Sequence, residues 1–212
     1  MMSRRLLPPL LILGLAWTPA TARATAATDP AAFIDTLVHQ GIDIIKNAKQ
    51  MPDQERDQKF RALLESGFDM PRIARFVLGR YWNTASEQDR QQFTKTFEDW
   101  VIKTYSSRFQ RYAGETVKVD GTRPVNEQIA IVLSQIDHAS GPPTKVEWRV
   151  RHEGNDYKIV DAEVEGVSMA LTERDEFASA IQQQGGTVAA LNKALEQKLA
   201  SDQGGEPTLQ SR

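Results

Sequence analysis

The apolar residues of this chain change period twice, and those two changes bound what it can fold into. Up to about Gly114 they recur at helical spacing. From Val117 to Glu165 they alternate with charged neighbours, and after Met169 helical spacing returns. Val117 and Val119, then Ile129, Ile131 and Leu133, then Val146, Trp148 and Val150, then residues 157–165 give four strands. The third and fourth meet at the tight connection EGND, and the loop HASGPPTK separates the second and third. Strands so closely linked are antiparallel, apolar on one face and charged on the other. A meander bracketed by helices makes an α+β chain of one domain. Long helices over a strongly twisted sheet leave a cone-shaped space that bulky side chains or a ligand must fill.

The first helix starts at Asp29 as cap with Pro30 just inside, and carries Phe33, Leu37, Ile44 and Ile45 past a weakening Gly41. The second, PDQERDQKFRALLESGF, places Phe60, Leu63 and Leu64 on one face. A short third helix has Asp69 as cap, Pro71 in its first turn and Gly79 as its stop. Ser86 and Asp89 open a fourth that runs to about Arg111 with Phe93, Phe97, Trp100, Val101, Tyr105 and Phe109. Two more helices, over 172–184 and 187–200, are separated by Gly185-Gly186. Residues 201–212 read as a disordered tail.

Residues 1–24 have the form of a secretory signal peptide. Arg4 and Arg5 precede an apolar run from Leu6 to Trp17, too short to span a membrane comfortably, and Ala22-Arg23-Ala24 offers a cleavage site. Cleavage there removes three arginines and no acid, leaving 23 basic and 28 acidic residues and a net charge of −5. Without a basic stripe, nucleic acid is not an expected partner. The chain has no cysteine, which excludes disulfides and thiol catalysis.

Catalytic chemistry finds little support. There is no G-x-S-x-G elbow, no H-x-x-x-H, H-x-H or D-x-D pair, and no Gly-rich strand-to-helix loop. No metal and no cofactor is expected. His39, His138 and His152 are scattered, and each reads as a surface or loop histidine. Asp161, mid-strand between Val160 and Ala162, is the best acid for proton transfer; its plain reading is an outward carboxylate paired with Arg149 or Arg151 across the hairpin.

The apolar and aromatic content stands out instead. Phe76, Val77, Tyr81, Trp82, Phe97, Trp100, Tyr105 and Trp148 exceed what short helices need for bare packing, although such a stripe is more often core than cofactor box. The junction at Gly166, Val167, Ser168 and Met169 carries only small or apolar groups. It suits the floor of an apolar cavity, or a tight packing corner. The wall of such a cavity would be built from Phe76, Val77, Tyr81, Phe97, Val101 and Tyr105 on helices, Ile131, Leu133, Trp148 and Val150 on strands, and Val164, Val167 and Met169 around the junction.

Two blocks, FDMPRIARFVLGRYWNTASEQDRQQFTKTFEDWVIKTYSSRFQRYAGETVKV and YKIVDAEVEGVSMALTERDEFASAIQQQGG, resemble the MlaC family of periplasmic lipid-binding proteins. The phrasing VSMALTERDEFASAIQ is similar to the hopanoid-associated HpnM branch. The resemblance covers nearly all of residues 29–200, so that 25–200 would form one lipid-binding domain. It implies an NTF2-like curved sheet of about four strands covered by helices, with a helical amino-terminal region and two carboxy-terminal helices enclosing an apolar cavity. It also implies a soluble periplasmic carrier of phospholipid or hopanoid between inner and outer membranes, with transient membrane contact. The implied partners are an MCE-domain transporter at the inner membrane and an outer-membrane lipoprotein complex. Two other readings stay open: an NTF2-like acid-base enzyme using Asp161 or His138 on a lipid or isoprenoid, and an envelope interaction module.

The leader has a direct test. Amino-terminal sequencing of the exported protein is expected to start near Thr25 or Ala27, whereas an intact Met1 on membrane-bound protein would contradict cleavage.

Overall fold

The computed structural model describes residues 29–106, 114–153 and 156–201. The leader, Phe109, Arg111 and residues 202–212 lie outside the described residues. Helices α1 (Pro30–Asn47), α2 (Asp53–Gly67), α3 (Met70–Leu78), α4 (Tyr81–Thr84) and α5 (Glu87–Ser106) precede strands β1 (Thr116–Pro124), β2 (Ile129–Asp137), β3 (Thr144–Glu153), β4 (Asp156–Val164) and β5 (Val167–Ser168). Helices α6 (Met169–Gln183) and α7 (Val188–Ser201) follow and complete the described residues.

Local chemistry sets most of these boundaries. Asp29 Oδ1 accepts from Ala32 N at 2.9 Å, and Asp69 Oδ1 accepts from Arg72 N at 3.1 Å, each satisfying an otherwise unpaired first-turn amide. Gly79, at φ 53°, ends α3 in a backbone shape that a side chain resists. At α5, Ser86 Oγ accepts from Asp89 N at 3.1 Å and donates to Asp89 Oδ2 at 2.6 Å. The shorter Asp thus bonds the hydroxyl, where a Glu would reach back to the backbone. Gly67 has a different role. A Cβ there would lie 2.7 Å from Leu37 Cδ1, so its absence lets the end of α2 approach α1.

The five strands form an antiparallel meander in the order β1-β2-β3-β4-β5. The fifth was not expected from the sequence. It follows a two-residue turn in which Glu165 (φ 50°) and Gly166 (φ 81°) are both left-handed, the geometry of a tight hairpin. The register corrects the expected sheet faces. Val132 faces Trp148 and Ala130 faces Val150, while Ile131 faces Arg149 and Leu133 faces Glu147. Partners across a ladder share a face, so Ile131 and Leu133 lie on the side away from Trp148 and Val150.

Strand β4 carries a bulge. Arg149 faces Asp161 and Val150 faces Ile159, leaving Val160 as the extra residue. Around it, β4 grips three helix ends. Lys158 Nζ donates to the α2 carbonyls of Glu65 and Ser66 at 2.7 and 2.8 Å. The amide of Asp69 donates to Ile159 O at 2.9 Å. Asp161 Oδ2 accepts from Ser168 Oγ at 2.6 Å, and Oδ1 accepts from Ala170 N at 3.0 Å, at the start of α6. A cation at a helix carboxy terminus and an anion at a helix amino terminus each oppose the local helix dipole.

The largest core is helical: α3, α5, α6 and α7 pack Val77, Leu78, Phe93, Phe97, Phe177, Ile181 and Leu191 together. Phe177 receives Phe93, Phe97 and Trp100 edge-on at centroid distances of 5.5, 5.5 and 5.3 Å. Much of the aromatic excess in the sequence is spent here. A second core joins Ile34 of α1 to Val132, Val150 and Ile159 of the sheet.

Substituting Asp161 with Ala strips two hydrogen bonds from the start of α6 and should cost about 1–2 kcal/mol, read by urea unfolding. Asp161→Asn keeps an acceptor and should cost less. Equal stability of the alanine variant and the parent would show that this anchor is idle.

Candidate functional site

A pocket of about 550 Å³ lies where α1, α2, α3, α5 and the start of α6 meet β3 and β4. Helix α1 contributes Ile34, Leu37, Val38, Gly41 and Ile45, which recur at three- and four-residue spacing along one face. Helix α2 adds Phe60, Leu63 and Leu64, and the α2–α3 corner adds Phe68, Met70 and Ile73. Phe97, Val101 and Tyr105 come from α5, Trp148 from β3, and residues 159–162 with Val164 from β4. Met169, Ala170 and Glu173 close that side from α6.

Six of the thirteen residues expected at the wall meet here: Phe97, Val101, Tyr105, Trp148, Val164 and Met169. Seven do not. Val77 is 1% exposed in the helical core: it shares a face of α3 with Met70 and Ile73 but stands one turn beyond Ile73, where the α5 and α6 core takes over from the pocket. Val150 is consumed in packing against Ile34, and Ile131 and Leu133 lie on the other face of the sheet. Tyr81 packs at the edge of the helical core. Phe76 and Val167 are 42% and 56% exposed, outside the pocket. The junction is corrected in the same way: Met169 lines the pocket, Ser168 caps α6 by accepting from Leu171 N at 3.1 Å, and Gly166 and Val167 face solvent.

The sequence reading missed the α1 and α2 walls. Their periodicity was visible, but a helical apolar stripe does not reveal whether it meets protein or empty space. It also missed Val160 and Asp161 as wall residues, since only the bulge brings adjacent positions to one surface.

The polar groups at the wall are few. Trp148 Nε1 donates to Ser134 Oγ at 2.9 Å, so the indole meets the pocket with its own donor satisfied. Tyr105 Oη donates to Glu173 Oε1 at 3.3 Å. Asp161 is engaged in capping α6 rather than paired outward across the hairpin. The lining includes two acids and, among the described residues, no Lys or Arg. His39 sits by Asp35 on α1, His138 Nε2 lies 2.9 Å from Thr144 Oγ1, and the His152 ring lies tilted against Tyr157. None of the three lines the pocket.

Beside the site, Arg61 of α2 reaches Glu98 and Asp99 of α5 at 2.8 and 2.5 Å. Burial opposes its charge, but the bonds and charge of Asp99, then of Glu98, outweigh that and raise its pKa. The pair of contacts ties two pocket walls together. At the far end of α3, the hydrogen bond from Arg80 to Tyr81 Oη, followed by that from Gln182, lowers the tyrosine pKa.

Residues 35–197 match the family described as MlaC protein. The chain belongs to the MlaC family. Among the relatives of this MlaC-family chain is the intermembrane phospholipid transport system binding protein MlaC of Haemophilus influenzae, 23% identical over 97 residues, which are 44% of this chain and 45% of that one. Toluene tolerance protein ttg2D of Pseudomonas putida is 23% identical over 106 residues, half of this chain and 49% of its own. The match thus spans about half the length of these relatives. A solved structure of the phospholipid-binding protein from Ralstonia solanacearum, in complex with a phospholipid, superposes with a TM-score of 0.66 at 25% identity, covering 81% of this chain and 97% of that one. The expected α+β architecture, an antiparallel sheet covered by helices, is the fold the two share.

Gly41 offers a test of the wall. A Cβ there would meet Leu63 Cδ2 at an ordinary 3.5 Å. Gly41→Ala should therefore stabilise α1 by about 0.5–1 kcal/mol, seen as a raised melting temperature. A fall in melting temperature would mean that α1 and α2 pack more tightly than described.

Proposed function

We propose that this protein is a periplasmic phospholipid carrier that shelters acyl chain in the pocket between α1, α2 and β4. The single observation that carries the reading is an apolar pocket of about 550 Å³ that, among the described residues, is lined by two carboxylates and no cationic side chain, in a chain of the MlaC family. Pockets of roughly 300–1,000 Å³ are the size that bury small ligands. The names of its relatives, a phospholipid transport binding protein and a phospholipid-bound neighbour, support the same class of ligand.

Physical cost explains why a carrier is needed. Each methylene taken out of water gains about 0.8 kcal/mol, so a chain of about sixteen carbons left in water costs roughly 12 kcal/mol. A pocket of aliphatic side chains removes that cost while staying close in energy to the bilayer interior, so loading and release both remain feasible. Glu173 and Asp161 would repel a phosphate within the pocket, so the headgroup sits outside and the hydrocarbon within. On this reading Asp161 and His138 perform no proton transfer: the carboxylate holds α6 and the imidazole lies away from the pocket. Exchange would run between inner and outer membranes, with an MCE-domain transporter and an outer-membrane lipoprotein complex as the donor and acceptor machinery.

Native mass spectrometry of protein purified from its host, followed by lipid extraction, tests this directly. Phospholipid near one-to-one is expected. Hopanoid in its place would reassign the ligand, and an empty protein that turns over an isoprenoid would replace the carrier with an enzyme. Val101→Trp places a larger ring at the pocket wall. If it excludes two methylenes, binding should fall by more than about tenfold in a fold that circular dichroism shows unchanged.

A further inference from the structure

The outer faces of the helices that wall the pocket carry a separate feature. At the end of α3 and the start of α6, three arginines lie against aromatic rings. Arg174 stands 5.3 Å from the Phe76 ring centroid, Arg80 4.9 Å from Tyr81, and Arg75 5.9 Å from Trp82. Several other arginines of the fold are matched with acids, among them Arg56 with Asp53, Arg61 with Asp99 and Arg72 with Asp69. Among the described residues, Arg75, Arg80 and Arg174 have no carboxylate within ion-pair distance, in a chain whose net charge is negative. Asp175 and Glu176 follow Arg174 but project from other sides of α6, at about 100° per residue.

Exposed apolar side chains accompany these cations. Phe76 is 42% exposed, Leu171, one turn before Arg174 on α6, is 49% exposed, and Val167 just ahead of α6 is 56% exposed. Three of the four large apolar side chains exposed on the described fold are therefore in this one region. A guanidinium held over a ring rather than by a carboxylate keeps donors free for a phosphate oxygen, and Arg80 spends only one of its own on Tyr81 Oη. Guanidinium groups over half-exposed aliphatic and aromatic groups match the boundary of a bilayer, where phosphates lie above acyl chains.

We propose that this face, formed by α3 and the start of α6, docks on an anionic phospholipid surface. The same two helices present Ile73, Met169 and Ala170 to the pocket, so docking here would bring the pocket wall to the membrane. The inference rests on the carrier reading for its purpose, and on the unpaired arginines for its chemistry.

Vesicle flotation tests it with the full mature protein, using phosphatidylcholine alone and an equal mixture of phosphatidylcholine and phosphatidylglycerol. The parent should bind the mixed vesicles more tightly, and added salt should weaken that preference. Replacing Arg75, Arg80 and Arg174 together with Gln should lower affinity for the mixed vesicles about 100-fold. Phe76→Ser, which leaves the charges in place, should lower binding to both vesicle types. Circular dichroism and retained lipid check that each variant folds. Parent that ignores phosphatidylglycerol, or a folded triple variant that binds as the parent does, overturns the docking face, as does an acidic protein captured by a parent that ignores both vesicles. Lipid content separates the two proposals: lipid-loaded protein without vesicle binding sinks only the docking face, and vesicle binding by protein that never loads lipid sinks only the carrier.

Discussion

Four consecutive residues of β4 hold the architecture together. Lys158 closes the carboxyl end of α2, the carbonyl of Ile159 receives the amide that opens α3, and the carboxylate of Asp161 receives the hydroxyl and amide at the start of α6. The bulge at Val160 makes this possible, because a regular strand would send alternate residues to opposite faces. Helix ends expose unpaired backbone groups, and burying them without partners costs free energy. By satisfying them from one strand, the fold fixes three helices at a distance from the sheet set by hydrogen bonds rather than by apolar filling.

That spacing explains why a pocket and a dense core coexist. The core proper lies to one side, where Phe177 is enclosed by Phe93, Phe97 and Trp100 and the α3–α5–α6–α7 group can be stable without the pocket being filled. Phe97 belongs to both regions, buried against Phe177 on one side and lining the pocket on the other. Close packing elsewhere supplies the stability that unfilled space forgoes through lost dispersion contacts.

The polar groups near the pocket serve construction. Asp161 was the strongest acid–base candidate in the sequence, yet both its oxygens are committed to α6. Trp148 points its indole N–H at Ser134, leaving the ring as an apolar surface. What reaches the interior is chiefly hydrocarbon, with Tyr105 and Glu173 bonded to one another at the wall. Such a lining discriminates by shape and polarity, which suits a flexible apolar cargo better than a reacting group.

The sequence by itself determined the four long strands of the meander and the caps of three helices, because these depend on periodicity and on bonds between near neighbours: Asp29 with Ala32, Asp69 with Arg72, Ser86 with Asp89. It also carried the family signature. A smaller part of the site was legible on the same terms, since Phe97, Val101 and Tyr105 share a helical stripe and Trp148 a strand face. Only the tertiary structure decided which apolar residues meet space and which meet protein. Val77 and Ile73 stand four residues apart on α3, but the first is sealed against the helical core and the second lines the pocket. Ile131 and Trp148 had the same alternating pattern, yet the register set them on opposite faces. The hydrophobic effect is non-directional, so an apolar side chain records that it leaves water without recording what it will touch. Long-range bonds from β4 to the ends of α2, α3 and α6 supply that missing direction.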